Sequence, residues 1–342
     1  MQNMTRTITA ITLIGGFAAA AQVQAQEVTL RLAHLWPEVS GNHQRVMQAW
    51  ADQIEEESNG RIAVEVYPGG SLVPPPDQYD AVSDRIVDVT ATVQGYTANR
   101  FPLTQIVELP GVSDSGAHGA CILQSLYDEG HLDAEYEDTH PLFMFTHGPG
   151  MFHVVGTEIR EPSDLQGLRI RRPTTVVGNI LEELGAQAVG MPAPESYTAM
   201  QRGVIDGVAL PWEATIGFRL AELVDSHTEI AGMYTLSFIM TMNRGVYESM
   251  SAENRAVIDA NSGLDWAVLA GEVFDDLDQA GIDDAMANDR PINVIEGGTS
   301  HPDWAPAMER SLERYLSEVE ERGLPAREVY DRAMELRNTC DA

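Results

Sequence analysis

Apolar and polar positions alternate along VTLRLAHLW (28–36), the period of a β-strand with one buried face. The next stretch, NHQRVMQAWADQIEEES (42–58), changes to helical spacing, and RIAVEVYP (61–68) returns to strand spacing. PDQYDAVSDRIVDVTAT (76–92) then reads as a proline and an acid opening a short helix, followed by an apolar strand. The same order recurs further on. LRIRRP (168–173) is followed by helical VVGNILEELG, by AQAVGMP, and by PESYTAMQRGVIDGVAL (194–210). The last segment lies over 76–92 without a gap, so that Pro76, Tyr79, Ala81 and Asp88 recur as Pro194, Tyr197, Ala199 and Asp206. Two β-α-β-α-β runs predict an α/β protein of two lobes, each a mainly parallel sheet with helices on both faces, and a crevice between them.

Ligands of open parallel sheets sit beyond the C-terminal strand ends. Here those ends are Leu35-Trp36 and Arg171-Arg172 on the first strands, and Gln94-Gly95-Tyr96 and Pro211-Trp212-Glu213 after the repeated helices. A strand covered on both faces does not tolerate a charge in its middle, but at its end a charge reaches the crevice. Arg171 therefore suits a forked grip on a carboxylate, while Arg169 and Arg172 serve surface acids. Trp36, Tyr96 and Trp212 offer aromatic walls with polar tips, with Gln94 beside them. For Glu213 three roles stand open: pairing with Arg171, binding a ligand hydroxyl, or facing solvent.

The segment FTHGPGMFHV (145–154) reads as a strand crossing between lobes through a flexible Gly-Pro-Gly turn, with Met151 and His153 alternating onto the cleft side. Its histidine spacing fits no metal motif. Residues 251–281 read as one long helix capped by Ser251 and bridging both lobes, and Met308, Leu312, Leu316 and Val319 stripe a later one. The first lobe then takes residues 26–148 and about 237–276, the second 149–236 and about 277–322, with 323–342 a tail packed on the lobes.

Composition narrows the function. The formal charge is −31, from 21 basic residues, all of them Arg, against 52 acidic ones. No basic stripe exists to displace counterions, which argues against nucleic acid as a partner. Arg6, the apolar run 8–20 and Val23-Gln24-Ala25 read as a cleavable export signal, which places the remaining chain in a bacterial periplasm. Cys121 and Cys340 suit that compartment, either as one disulfide or as two free thiols. Nucleophile elbow, C-x-x-C, P-loop and G-x-G-x-x-G motifs are all absent from the sequence.

LRLAHLWPE, IEEESNGRIAVEVYPGGSL, RFPLTQIVELPGV, DLQGLRIRRP, MPAPESYTAMQRGVIDG and the following Pro-Trp-Glu occur in that order. In these residues the chain resembles the extracytoplasmic solute receptors of TRAP transporters, of the dicarboxylate-receptor type. The resemblance covers essentially all of the chain after the signal. It implies a two-lobed periplasmic binding protein fold with crossing strands and a long bridging helix, closing on a small organic acid. It puts the carboxylate-gripping role on Arg171, the residue already singled out, and implies one small and one large membrane subunit as partners. The expectation is a receptor rather than an enzyme, a monomer, with no cofactor. Departures bear on the ligand. Leu210 stands where some relatives have Asn, Ala193 where sialic-acid receptors are aromatic, and Pro-Trp-Glu replaces the Glu-Trp order of the cation-holding group, so no metal is expected. Pro74, Pro75 and Pro76 stand near the expected mouth of the cleft. The three aromatic residues lean towards an aromatic or short hydrophobic acid. The classes that compete with a receptor for transport are a periplasmic enzyme acting on a small carboxylate and a ligand-sensing subunit.

Overall fold

The computed structural model describes residues 26–340, and the expected export signal at 1–25 lies outside them. Among the described residues eleven strands form two sheets. They are β1 (Val28–His34), β2 (Ile62–Tyr67), β3 (Val89–Val93), β4 (Thr139–Thr146), β5 (Met151–Val154), β6 (Arg169–Arg172), β7 (Gln187–Gly190), β8 (Gly207–Leu210), β9 (Ser226–Glu229), β10 (Ser237–Asn243) and β11 (Ile292–Val294). The helices are α1 (Ala49–Glu57), α2 (Gln78–Ser83), α3 (Gly116–Asp128), α4 (Thr175–Glu183), α5 (Ser196–Gln201), α6 (Trp212–Gly217), α7 (Arg244–Ser249), α8 (Ala252–Ala260), α9 (Leu264–Ala287), α10 (Ala305–Glu321) and α11 (Ala326–Arg337).

The first sheet runs β2-β1-β3-β10-β4 and the second β11-β9-β5-β8-β6-β7. In each, the opening strand of the repeat lies between its two successors and parallel to both. Right-handed crossovers through a helix produce this order. Strand β10 runs antiparallel to β3 and β4, and β5 runs antiparallel to β8 and β9. The chain thus leaves the first sheet between β4 and β5 and returns between β9 and β10. Strands β3, β8 and β10 are buried along their whole length, as strands covered on both faces are.

The recurring aspartates have one job. Asp88 N–H donates to the Arg31 carbonyl (3.0 Å), while its Oδ2 accepts from Arg31 N (2.9 Å) and Nε (3.0 Å). Asp206 N–H likewise donates to the Arg169 carbonyl (2.8 Å), and its Oδ2 accepts from Arg169 N and Nε (both 2.9 Å). Each aspartate ties the entry to the third strand of its repeat to the first strand. The Arg169 hydrogen bonds hold the Asp206 carboxyl below its usual range.

The long C-terminal helix expected over 251–281 is two helices. Ser251 does cap the first, its Oγ accepting from Asn254 N (3.2 Å), but α8 ends at Ala260. Gly263, at φ 78°, turns the chain before α9 starts. Helix α9 packs on α3 and α6, one from each lobe, with glycine at both approaches. A Cβ on Gly271 would stand 2.4 Å from the Gly116 carbonyl oxygen, and one on Gly281 2.5 Å from that of Trp212. Helix α10 packs on α4 and buries Met308, Leu316 and Val319, with Leu312 half-buried. Helix α11 lies on α3, where Cys121 and Cys340 are bonded at a Cα–Cα distance of 5.9 Å. Among the described residues no helix is long and apolar enough to cross a membrane.

Candidate ligand-binding site

Beyond the strand ends the two lobes close on a cavity of ≈ 20 Å³, the room of a water molecule. Its walls include Trp36, Tyr96 and Phe238 from one side, Glu213 and Phe218 from the other, and the crossover residue His147. Any larger guest needs the lobes to part. An open groove of ≈ 420 Å³ adjoins it and shares Glu213 and Phe218 with it.

Arg171, near the end of β6, is 0% exposed. Its Nε donates to the Met191 carbonyl (3.0 Å), Nη1 to the Ala209 carbonyl (3.2 Å) and Nη2 to Tyr96 Oη (3.0 Å). All three acceptors are neutral. Among the described residues no carboxylate lies within ion-pair distance of this guanidinium. Five N–H groups less these three leaves two donors on a buried, uncompensated cation. Strand parity sets Arg172 apart from Arg171, whereas Arg169 shares its face and is set apart by its partner. Arg169 is spent on Asp206, and the stem of Arg172 lies against Gly178 and Gly190 on the other face.

Two polar groups beside Arg171 were not expected in the site: His147 was weighed in the sequence only for metal binding, and Tyr234 was not singled out. His147 is buried with Nε2 unpartnered, and its Nδ1 meets the Gly148 carbonyl. Burial pulls its pKa down to about 4. With the proton on Nδ1, Nε2 is an acceptor. The Tyr234 hydroxyl is also buried and unpartnered. Burial drives its pKa up, and nearby Arg171 pulls against that rise. A Cβ on Gly150 would stand 2.1 Å from the Tyr234 ring, so this part of the Gly-Pro-Gly segment serves close packing rather than the expected flexibility. Both groups sit on crossover segments, where strand parity gives no signal. Only the residue types, a histidine and a tyrosine among small residues, could have drawn attention.

The cavity brings Trp36, Tyr96 and Glu213 together beside Arg171. Glu213 neither pairs with Arg171 nor faces solvent, being 5% exposed. Gln94 turns inward, its amide donating to Tyr136 Oη in the first-lobe core. Trp212, Met151 and His153 lie behind α6. Trp212 Nε1 donates to Glu229 Oε1 (2.8 Å), and its ring packs against His153 and His227 (centroids 5.1 and 4.5 Å). Met151 joins the same cluster with Ala285 of α9. The reason is local. Helix α6 begins at Trp212, so strand parity stops at Pro211, and no residue of β5 lines the cavity. The prolines at 74–76 lead into α2 through a 3₁₀ turn and line neither cavity. Among the described residues no group of three or more His, Cys, Asp or Glu is placed to hold a metal ion.

Two further contacts join the lobes, and Ser237 of the first lobe shares in the second. Tyr96 Oη, from the first lobe, also accepts from Ala193 N (2.9 Å) in the second. Glu108, 0% exposed, accepts from Ser237 Oγ (2.7 Å) on β10 and from Thr174 Oγ1 (2.8 Å) at the start of α4. Burial pushes the Glu108 carboxyl up to about 7, with the Ser237 hydrogen bond opposing.

Comparison with known proteins adds to this geometry. The family model for bacterial extracellular solute-binding protein, family 7, matches residues 32–263. A marine-metagenome TRAP solute-binding protein specific for aromatic acid ligands, from an unidentified microbe and solved with metahydroxyphenylacetate, is 35% identical. That match covers 92% of this chain and 100% of the other, at a TM-score of 0.89. A TRAP solute-binding protein of Rhodoferax ferrireducens T118, solved with copurified benzoate, is 32% identical over 91% of this chain and 98% of the other, at a TM-score of 0.85. The outer membrane transporter protein TsaT of Comamonas testosteroni is 25% identical over 305 residues, 86% of this chain and 89% of that one.

Proposed function

Because the chain belongs to the bacterial extracellular solute-binding proteins of family 7, in their TRAP type, we propose that it captures an aromatic monocarboxylic acid between its lobes. The observation that carries this reading is Arg171, a buried cation with two spare donors and no acidic partner among the described residues. A ligand carboxylate supplies the missing charge through two parallel hydrogen bonds, and the Tyr234 hydroxyl adds a third donor. One uncompensated arginine suits one carboxylate. Trp36, Tyr96, Phe218 and Phe238 suit a ring rather than a sugar or a second acid group. The aromatic ligands of the marine-metagenome and Rhodoferax proteins support the same class.

The action is lobe closure. Contacts such as Tyr96 Oη to Arg171 and Ala193, and Thr174 to Glu108, span the lobes and are complete only when closed. A ligand that bridges both sides shifts the population towards that state. The closed receptor then hands the acid to a small and a large membrane subunit from the periplasmic side, without chemical change to it. A calorimetric screen tests this. Benzoate or phenylacetate should bind one per chain, be recovered unaltered, and raise the unfolding temperature, whereas succinate and glucuronate should do neither. Tight binding of succinate with no response to aromatic acids overturns the proposal.

A further inference from the structure

The groups gathered at Arg171 do not all suit an anion. Arg171 keeps two spare N–H donors and Tyr234 a hydroxyl, and donors are what a carboxylate needs. His147 is the exception. It lines the inner cavity and is 1% exposed, with Nε2 buried and unpartnered. The backbone fixes the other side of the ring. The His147 carbonyl accepts from Thr235 Oγ1 (2.7 Å), and Nδ1 donates to the Gly148 carbonyl. A carbonyl only accepts, so Nδ1 keeps its proton. The other neutral tautomer would set an Nδ1 lone pair against that carbonyl. Nε2 therefore becomes a donor only when the ring is charged.

We propose that His147 takes up a proton as the acid binds and becomes a second cationic donor to its carboxylate, beside Arg171. This rests on the reading above that a ligand carboxylate reaches Arg171. Before binding, burial holds the ring neutral, the Gly148 carbonyl opposes this, and Arg171 adds its repulsion. The carboxylate cancels the Arg171 charge and gives Nε2 an anionic acceptor, so both effects favour the imidazolium. Other groups face the ring. Tyr234 meets it edge-on (centroids 5.8 Å) and stays neutral, as burial drives its pKa up. Tyr96 and Glu213 line the same cavity, and Glu108 lies beyond Ser237. On α9, Asp278 and Asp275 stand behind Gly148, where a Cβ would come 2.3 and 3.1 Å from their carboxylate oxygens. Burial pushes Glu108 and Asp278 up to about 7 and Glu213 to about 8. Closure of the lobes loads protons there as well, so the share of His147 is the difference between wild type and a variant without it.

Calorimetric titration of the full chain with benzoate at about pH 6, in buffers of different ionisation enthalpy, reads the protons taken up per ligand. Wild type should take up at least about half a proton more than His147→Gln, whose amide donates without a charge. Its affinity should accordingly fall with rising pH at least about threefold more per pH unit. Thermal unfolding reports that the variant folds. Nitrogen NMR of histidine-labelled wild type needs no variant: benzoate should turn one imidazole into an imidazolium. Equal uptake by wild type and variant, or a spectrum in which every histidine keeps its charge state, overturns the assignment and leaves the carboxylate reading intact. Should wild type ignore benzoate but bind succinate, the aromatic class alone fails, and the same two measurements with succinate decide the role of His147. Failure to bind any carboxylate overturns both.

Discussion

Asp275 and Asp278 stand three residues apart on α9 and cap helices of opposite lobes. Asp275 accepts from Gly116 N (2.6 Å) and Ala117 N (2.9 Å), where α3 begins, and Asp278 accepts from Glu213 N (2.8 Å) in the first turn of α6. Less than one turn of a single helix therefore answers the free N–H groups of two others. With Gly271 and Gly281 seating α9 against the same two helices, one helix is packed and hydrogen-bonded to both lobes. Tyr96, Thr174 and Glu108 make the hydrogen bonds across the cleft itself.

Arg171→Ala should weaken ligand binding by at least about thirtyfold, since breaking a buried charge-assisted pair costs about 2–5 kcal/mol. Arg171→Lys should also bind poorly, because a point charge cannot copy the fork. Arg172→Ala, altered on the other face of β6, should bind nearly as wild type does. Calorimetric titration with an aromatic acid ranks the three, and a weak Arg172→Ala beside an unimpaired Arg171→Ala would reverse the assignment.

Tyr96→Phe removes one oxygen that accepts from both Arg171 Nη2 and Ala193 N across the cleft. The ring remains, so the wall is kept and only the link is lost. Affinity should fall about five- to tenfold, for a cost of about 1 kcal/mol. Stopped-flow kinetics should place most of that loss in faster release, because the bonds are completed on closure.

Trp36 lines the cavity, whereas Trp212 lies behind α6 with its indole N–H on Glu229. Ligand-dependent quenching of tryptophan fluorescence should therefore shrink strongly in Trp36→Phe and persist in Trp212→Phe. Loss of the signal in Trp212→Phe alone would mean that α6 turns on binding.

Glu108 gives a pH signature. Its carboxyl is raised from 4.5 to about 7 by burial, so the folded state holds a proton that the unfolded state releases. Stability from this residue is undiminished below pH 4.5 and declines as pH rises towards 7. The full decline is about 3 kcal/mol, from a shift of about two and a half pKa units. Glu108→Gln carries no such penalty. The difference in unfolding temperature, variant minus wild type, should grow with pH across this window and level off above it. A difference independent of pH would show that Glu108 is ionised in the fold.

The sequence showed most clearly what periodicity governs. Arg171 stood out because a strand end leaves a charge only one place to go, and the doubled β-α-β-α-β order survives as β2-β1-β3 and β7-β6-β8. Asp88 and Asp206 were visible as a repeat, but their arginine partners were not, because equivalence between copies says nothing about contacts within one. Trp212, Met151 and His153 were misplaced where a strand gives way to a helix or where the choice of face could not be anchored. His147 and Tyr234 lie in crossovers that have no period at all.

The Cys121–Cys340 bond spans 219 residues and makes most of the molecule a covalent ring. The entire run from β4 to β11 lies inside it, including all of the second sheet. A protease that severs any single peptide bond within that ring releases no fragment. The nicked chain stays one molecule, both lobes remain attached to α9, and only a reductant or a second cut can separate them.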